Sequence, residues 1–136
     1  MKTLILFYSY SGKTRVIAQK LAESESADLA ELKDVKRPGK LKAYIAGIAA
    51  AIRGKPWPIQ PLDADMSEYD RLILLSPVWA DNPAPPMNAA LDLLPPGKTI
   101  EVKMVSKSGK SDCSARIEAM IKAKECVLGS FEDIKA

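Results

Sequence analysis

Short apolar runs of strand length alternate with stretches whose apolar residues recur at helical spacing, and this alternation restricts the chain more than any other feature. Thr3 to Tyr8 (TLILFY) is uninterrupted and apolar, and it stops at Ser9-Tyr10-Ser11-Gly12. A run that is apolar at nearly every position, rather than every second one, is the pattern of a strand buried on both faces. Residues 13–24 then set Val16, Ile17, Leu21 and Ala22 against Arg15, Gln19, Lys20 and Glu23, which predicts an amphipathic helix.

The alternation continues to the end of the sequence. Ala27 to Val35 has strand length, and Leu41, Tyr44, Ile45, Ile48 and Ile52 mark the buried face of a second helix closed by Gly54 and Pro56. After a Pro-rich connector, Arg71 to Ser76 (RLILLS) is a buried strand ended by Pro77, and the turn-rich SPVWADNPAPP leads into a third helix with Met87, Leu91 and Leu94 on one face. Thr99 to Val105 reads as a strand, Ser106 to Ser111 as a polar loop, Cys113, Ile117, Met120 and Ile121 as a fourth helix face, and Glu125 to Phe131 as a last strand. The string βαβαβαβαβ predicts an α/β fold, a doubly wound five-stranded parallel sheet with helices on both faces. At 136 residues the chain makes one domain, 1–136. Ligands of such sheets bind beyond the carboxyl ends of the strands, which points to the loops after strands 1, 3 and 4.

Composition removes several chemistries. There is no histidine, so Ser-His-Asp and Cys-His nucleophiles, a histidine base and His-containing zinc sites are excluded. Cys113 and Cys126 are too far apart for a CxxC motif and read as reduced, packed thiols. The N-terminal apolar run is too short for a secretory signal, and the longest apolar stretch, Tyr44 to Ile52, is far below the ~20 residues of a membrane span. A cytoplasmic protein without a membrane partner is expected. The net charge of +3 is too small to demand nucleic acid.

Ser9-Tyr10-Ser11-Gly12-Lys13-Thr14 joins a buried strand to a helix start. Its hydroxyls, its glycine and the free amides of the first helical turn suit a phosphate, and the same residues equally suit ordinary helix capping. A Walker A loop needs glycine where Phe7 stands, and Gly12 has no glycine neighbours for a dinucleotide fingerprint. The strand ends Tyr8-Ser9 and Ser76-Pro77 lack the carboxylates of a receiver-type phosphoacceptor, and no thiol lies in the loop for a cysteine phosphatase.

The segment Ile5 to Thr14, continuing to Ala18 and Leu21, resembles the phosphate-loop signature of the flavodoxin-like FMN-binding family, short-chain type, including its Ser/Thr-x-Ser/Thr-Gly-x-Thr core. Ser76 to Pro86 resembles the flavin-ring loop of short flavodoxin-like proteins and stands at the corresponding place after strand 3. The resemblance implies strand order 2-1-3-4-5 with FMN at the carboxyl edge. It implies that Ser9, Ser11 and Thr14 give hydroxyls to the FMN phosphate and that the amides of residues 10–14 add the rest, with Lys13 and Tyr10 open between phosphate contact and solvent. In the second loop, Pro77, Val78, Trp79, Ala80, Asp81 and Asn82 would border the flavin. Trp79 is the candidate for stacking on the isoalloxazine, or else a core tryptophan; Trp57 is assigned to packing or a surface patch. Asp81 occupies the place of a family glycine whose peptide flips toward reduced N5, which implies weaker stabilisation of half-reduced flavin; otherwise Asp81 makes an Asx-turn. Ser106, Lys107, Ser108 and Gly109 would face the flavin pyrimidine, without the aromatic of long-chain members. The family's closing helix is expected to be short or missing.

Residues 33–55 hold seven cations (Lys33, Lys36, Arg37, Lys40, Lys42, Arg53, Lys55) against Asp34, a balance of +6, which leaves −3 for the rest. This is a solvated face or a docking surface for an acidic protein, with nucleic acid the weaker option. The functional expectation is electron transfer by bound FMN with a redox partner protein or a small-molecule donor or acceptor. The alternatives are an FMN-dependent NAD(P)H/quinone-type reductase and a flavin-poor interaction module using residues 33–55.

Overall fold

In the computed structural model, which describes residues 2–36 and 39–136, the apolar run Thr3–Phe7 forms β1 with every side chain buried. It lies between β2 (Asp28–Glu31) and β3 (Arg71–Trp79). β5 (Thr99–Ser106) pairs with β3 and β6 (Val127–Lys135) with β5, all parallel, giving the order β2-β1-β3-β5-β6. These are the five parallel strands in the expected order. A sixth strand was not foreseen: β4, Asn82–Pro83, runs antiparallel to the end of β3.

Several boundaries differ from the sequence reading, each for a local reason. β3 passes through Pro77 to Trp79; Pro77 is the last residue paired with β5 and Val78 the first paired with β4, so its missing N–H falls where the strand changes partner. β6 begins after Glu125, a turn residue at φ 58, and runs on to Lys135 past a bulge at Gly129 that shifts the register between Ile100 and Glu101. β2 is only four residues long, and Asp34 beyond it makes one isolated bridge to Ile59.

Alternation along the strands divides the interior into two cores. Leu4, Leu6, Leu72, Leu74, Ile100 and Val102 face α4 (Pro85–Asp92) and α5 (Ser114–Ala123), whose Met87, Leu91, Ile117 and Ile121 fill the larger core. Ile5, Phe7, Ile73 and Leu75 face α1 (Lys13–Glu25) and its buried Ala18. On that second side β5 presents Glu101 and Lys103 where a closing helix would need apolar residues. Arg71 binds Glu101 and Glu25, and Lys103 Nζ lies 2.7 Å from Glu132 on β6.

The largest departure concerns the second helix. It consists of α2 (Lys40–Lys42), a π-helical turn Ala43–Gly47 and α3 (Ile48–Arg53). Four of the five residues of its expected buried face are exposed, Leu41 by 73%, Tyr44 by 71%, Ile45 by 62% and Ile52 by 52%, while Ile48 is half-buried. The small residues decide the orientation. Gly47 and Ala51 are buried, and a Cβ on Gly47 would stand 2.6 Å from Trp79 Cζ3 and 3.1 Å from Trp57 Cη2. Close approach of the helix backbone to two indoles is possible only with the small side turned inward. Of the basic run, Arg37 lies outside the described residues.

Candidate functional site

The loop that follows β1 turns into α1 at Gly12, whose φ of +102 lies in the region glycine tolerates and other residues avoid. Ser9 is buried and its Oγ accepts the Gly12 amide at 3.0 Å, which closes the loop on itself. Thr14 is buried in the first turn, while Ser11 and Lys13 are exposed. The N-cap residue, Gly12, has no side chain with which to cap α1. The first-turn amides of a helix have no intrahelical acceptor, so this end presents outward donors and the positive pole of the helix dipole to an anion. Arg15 does not add to it, because its guanidinium is held by Glu31 at 3.3 and 2.5 Å.

Beside this loop lies a cleft of about 310 Å³ lined by Tyr10, Lys40, Tyr44, Ile48, Val78, Trp79 and Ala80. Its size is at the lower end of small-molecule sites, and its walls are mainly aromatic and aliphatic, as a flat conjugated ligand requires. Trp79 forms one wall from the end of β3. Tyr8, Tyr10 and Trp57 meet it edge-on, with centroids 6.2, 5.9 and 6.0 Å away and interplanar angles of 77°, 82° and 80°. Such edge-to-face contacts hold the indole in one orientation. Trp57 is thus a packing residue behind Trp79.

Ala80 and Asp81 make the two-residue turn between β3 and β4, both at positive φ, 49° and 64°. Two consecutive left-handed residues are the signature of a tight I′ hairpin, and they explain why the sequence reading of an irregular loop missed β4. The turn is pinned on both carbonyls: Asn82 Nδ2 donates to Ala80 O at 2.7 Å and the Asp112 amide to Asp81 O at 3.2 Å. Arg116 of α5 donates to Asn82 Oδ1 at 2.9 Å and to Ala51 O at 3.2 Å, tying the turn to the end of α3.

Of the residues singled out in the sequence, Tyr10, Val78, Trp79 and Ala80 line the cleft, and Ser9 to Thr14 form the adjoining helix entry. Pro77 is half-buried within β3, and Asp81 and Asn82 belong to the turn at the cleft's edge. Ser106, the last residue of β5, and Lys107, Ser108 and Gly109 after it form a self-bonded turn, with the Gly109 amide donating to Ser106 Oγ at 3.0 Å, and they are not among the lining residues. Lys40, Tyr44 and Ile48 do line it and were assigned elsewhere from the sequence. The signal available was the excess of large apolar residues in a helix that also carries Gly47 and Ala51.

Residues 1–121 match the family model of the NADPH-dependent FMN reductases. The chain belongs to that family. No curated protein sequence matches it. A flavoprotein of Lactobacillus acidophilus NCFM, solved in complex with FMN, is similar at TM-score 0.79 and 26% identity, covering 96% of this chain and 91% of that one. The apo form of the flavoprotein from the same organism is similar at TM-score 0.72 and 23% identity, covering 97% and 92%. A flavodoxin of Streptococcus pneumoniae TIGR4 shares the fold at TM-score 0.58 and 16% identity, covering 100% and 87%.

For this member of the FMN reductase family the cofactor is FMN, and the donor set fits it. An uncapped helix entry carrying the hydroxyls of Ser9, Ser11 and Thr14 suits a phosphate, and the neighbouring cleft with Trp79, Tyr10 and Tyr44 suits a flat aromatic ring. The chain is a flavodoxin-like, FMN-binding redox protein.

Proposed function

We propose that the protein transfers electrons through an FMN whose phosphate rests on the helix entry formed by Ser9, Tyr10, Ser11, Gly12, Lys13 and Thr14 and whose ring enters the cleft beside Trp79. Bound there, the flavin supplies the redox chemistry, and the protein supplies binding, orientation and exclusion of water. The observation that carries this reading is the direct adjacency of the uncapped end of α1 and an apolar aromatic cleft that share Tyr10. Val78, Trp79 and Ala80 would form one wall; Lys40, Tyr44 and Ile48 would form the other. Asp81 and Asn82 hold the edge. The loop Ser106 to Gly109 would act by backbone contact if at all, since its hydroxyls are committed to one another and to Lys110.

The family match favours one second reading, in which NADPH itself reduces the bound flavin. Anaerobic mixing separates the two. Rapid bleaching of the flavin band by NADPH alone supports the reductase, and bleaching only by a reduced carrier protein supports the electron carrier. A purified protein that fails to quench FMN fluorescence would sink both. No helix of the described residues is long and apolar enough to cross a membrane. A reducing, cytoplasmic setting is supported by Cys113 and Cys126, both buried and unbridged.

A further inference from the structure

Large apolar side chains on the outer face of the 40–53 segment stand in solvent. Leu41, Ile45 and Ile52 are 73%, 62% and 52% exposed; Leu41 and Ile45 are one turn apart and Ile52 about two turns further along one helical run. Scattered exposed leucines need no explanation, but a stripe of this kind on a helix marks an interaction surface. Lys36, Lys40, Arg53 and Lys55, in or next to this segment in sequence, are exposed too, within a stretch carrying +6 on a chain whose remainder carries −3.

Aliphatic residues rimmed by flexible cations are the composition of a helix that lies on a lipid surface, where the side chains enter the acyl boundary and the ammonium heads reach headgroup phosphates. One signal alone holds a protein weakly at a bilayer, and here exposed aliphatic residues and exposed cations occur in the same stretch. A second copy of this chain fits the face less well, because a two-fold contact would set the exposed Lys36, Arg53 and Lys55 against their own copies. The sequence reading expected no membrane partner on the grounds of span length and net charge. Neither quantity bears on a helix that lies flat with its apolar side outward.

We propose that the outer face of residues 40–53 docks on anionic lipid, with Leu41, Ile45 and Ile52 in the interface and Lys36, Arg53 and Lys55 against headgroup phosphates. Lys40, Tyr44 and Ile48 of the same segment wall the cleft, so docking brings the cleft rim to the lipid surface. The contact itself does not depend on what the cleft holds.

Flotation of the FMN-loaded full chain tests this, with vesicles of equal parts phosphatidylglycerol and phosphatidylcholine, pure phosphatidylcholine vesicles as the neutral comparison, and sedimentation equilibrium of vesicle-free protein in parallel. The expected result is flotation with the anionic vesicles only, weakened by salt. The double substitution Leu41→Ser with Ile45→Ser should reduce the bound-to-free ratio by at least about tenfold. Lys36→Glu with Arg53→Glu should abolish the preference for anionic lipid. All four side chains are exposed, so both variants should keep the parent far-UV circular dichroism. Three results would each overturn the proposal: no flotation with anionic vesicles, equal flotation of parent and variants, or a vesicle-free dimer that the Leu41→Ser, Ile45→Ser change dissociates.

Discussion

Two residues at the cleft illustrate how a single Cβ decides local structure. Gly47 touches the Trp79 ring so closely that Gly47→Ala must displace an indole already wedged among Tyr8, Tyr10 and Trp57. The expected cost is about 1–3 kcal/mol, the usual range for overpacking, read as a lower urea midpoint at unchanged slope together with an altered near-UV tryptophan signal. Ala80 is the opposite case, a residue with a Cβ at φ 49 in a two-residue turn. Ala80→Gly should stabilise the fold by about 0.5–1 kcal/mol, the relief of left-handed strain less the added freedom of the unfolded chain. With the flavin placed in the cleft as proposed, the same turn bears on one-electron chemistry. Both of its carbonyls are held, by Asn82 and Asp112, so turning over either peptide breaks a hydrogen bond. Half-reduced flavin should therefore accumulate little in a potentiometric titration; a titration in which it becomes the main species would refute this.

At the level of elements, legibility followed how many independent constraints each one carried. β1 and the loop after it could be read because an unbroken apolar run, a hydroxyl-rich stop and an amphipathic helix agree on one arrangement. The segment 40–53 could not, because helical periodicity identifies a stripe without saying which side wins. Gly47 and Ala51 prevailed over Leu41, Ile45 and Ile52 through contact with Trp79 and Trp57, residues distant in sequence. For the same reason Lys40, Tyr44 and Ile48 went unrecognised at the cleft. The polar face of β5, by contrast, is legible in its sequence, where Glu101 and Lys103 alternate with the buried Ile100, Val102 and Met104. Arg71 holds the Glu101 carboxyl below its usual range, mainly by direct hydrogen bonding and despite partial burial. A carboxylate with a lowered folded-state pKa contributes stability above its unfolded value, and the contribution is lost as pH falls through the lowered one. Tyr69 behaves in the opposite sense. Its hydroxyl donates to Asp28 at 2.7 Å, and that bond, with burial, pushes its pKa up to about 12. Its contribution is complete below the ordinary value of 10 and disappears as pH rises toward 12. Urea midpoints against pH should show an acid limb that flattens in Glu101→Gln and an alkaline limb that flattens in Tyr69→Phe.

Across the whole molecule, the helix entry belongs to the side of the sheet on which α1 packs, while Trp79 and the turn after it are braced from the other side by α5 through Arg116. A ligand reaching from one to the other links elements that the fold joins mainly through the strands between them. FMN at a hundredfold excess over its Kd should raise the unfolding free energy by about 2.7 kcal/mol if it binds only the folded chain. For a domain of this size that is a rise in Tm of very roughly 5–15 °C. Riboflavin, which has the same ring and no phosphate, separates the two halves of the site. If the uncapped end of α1 holds the phosphate, riboflavin at equal concentration should give a clearly smaller shift, and Thr14→Val should narrow the difference between the two ligands. Equal shifts from FMN and riboflavin would leave the cleft as the whole binding site and remove Ser9, Ser11 and Thr14 from it. Equal shifts for parent and Trp79→Ala would remove the indole wall instead.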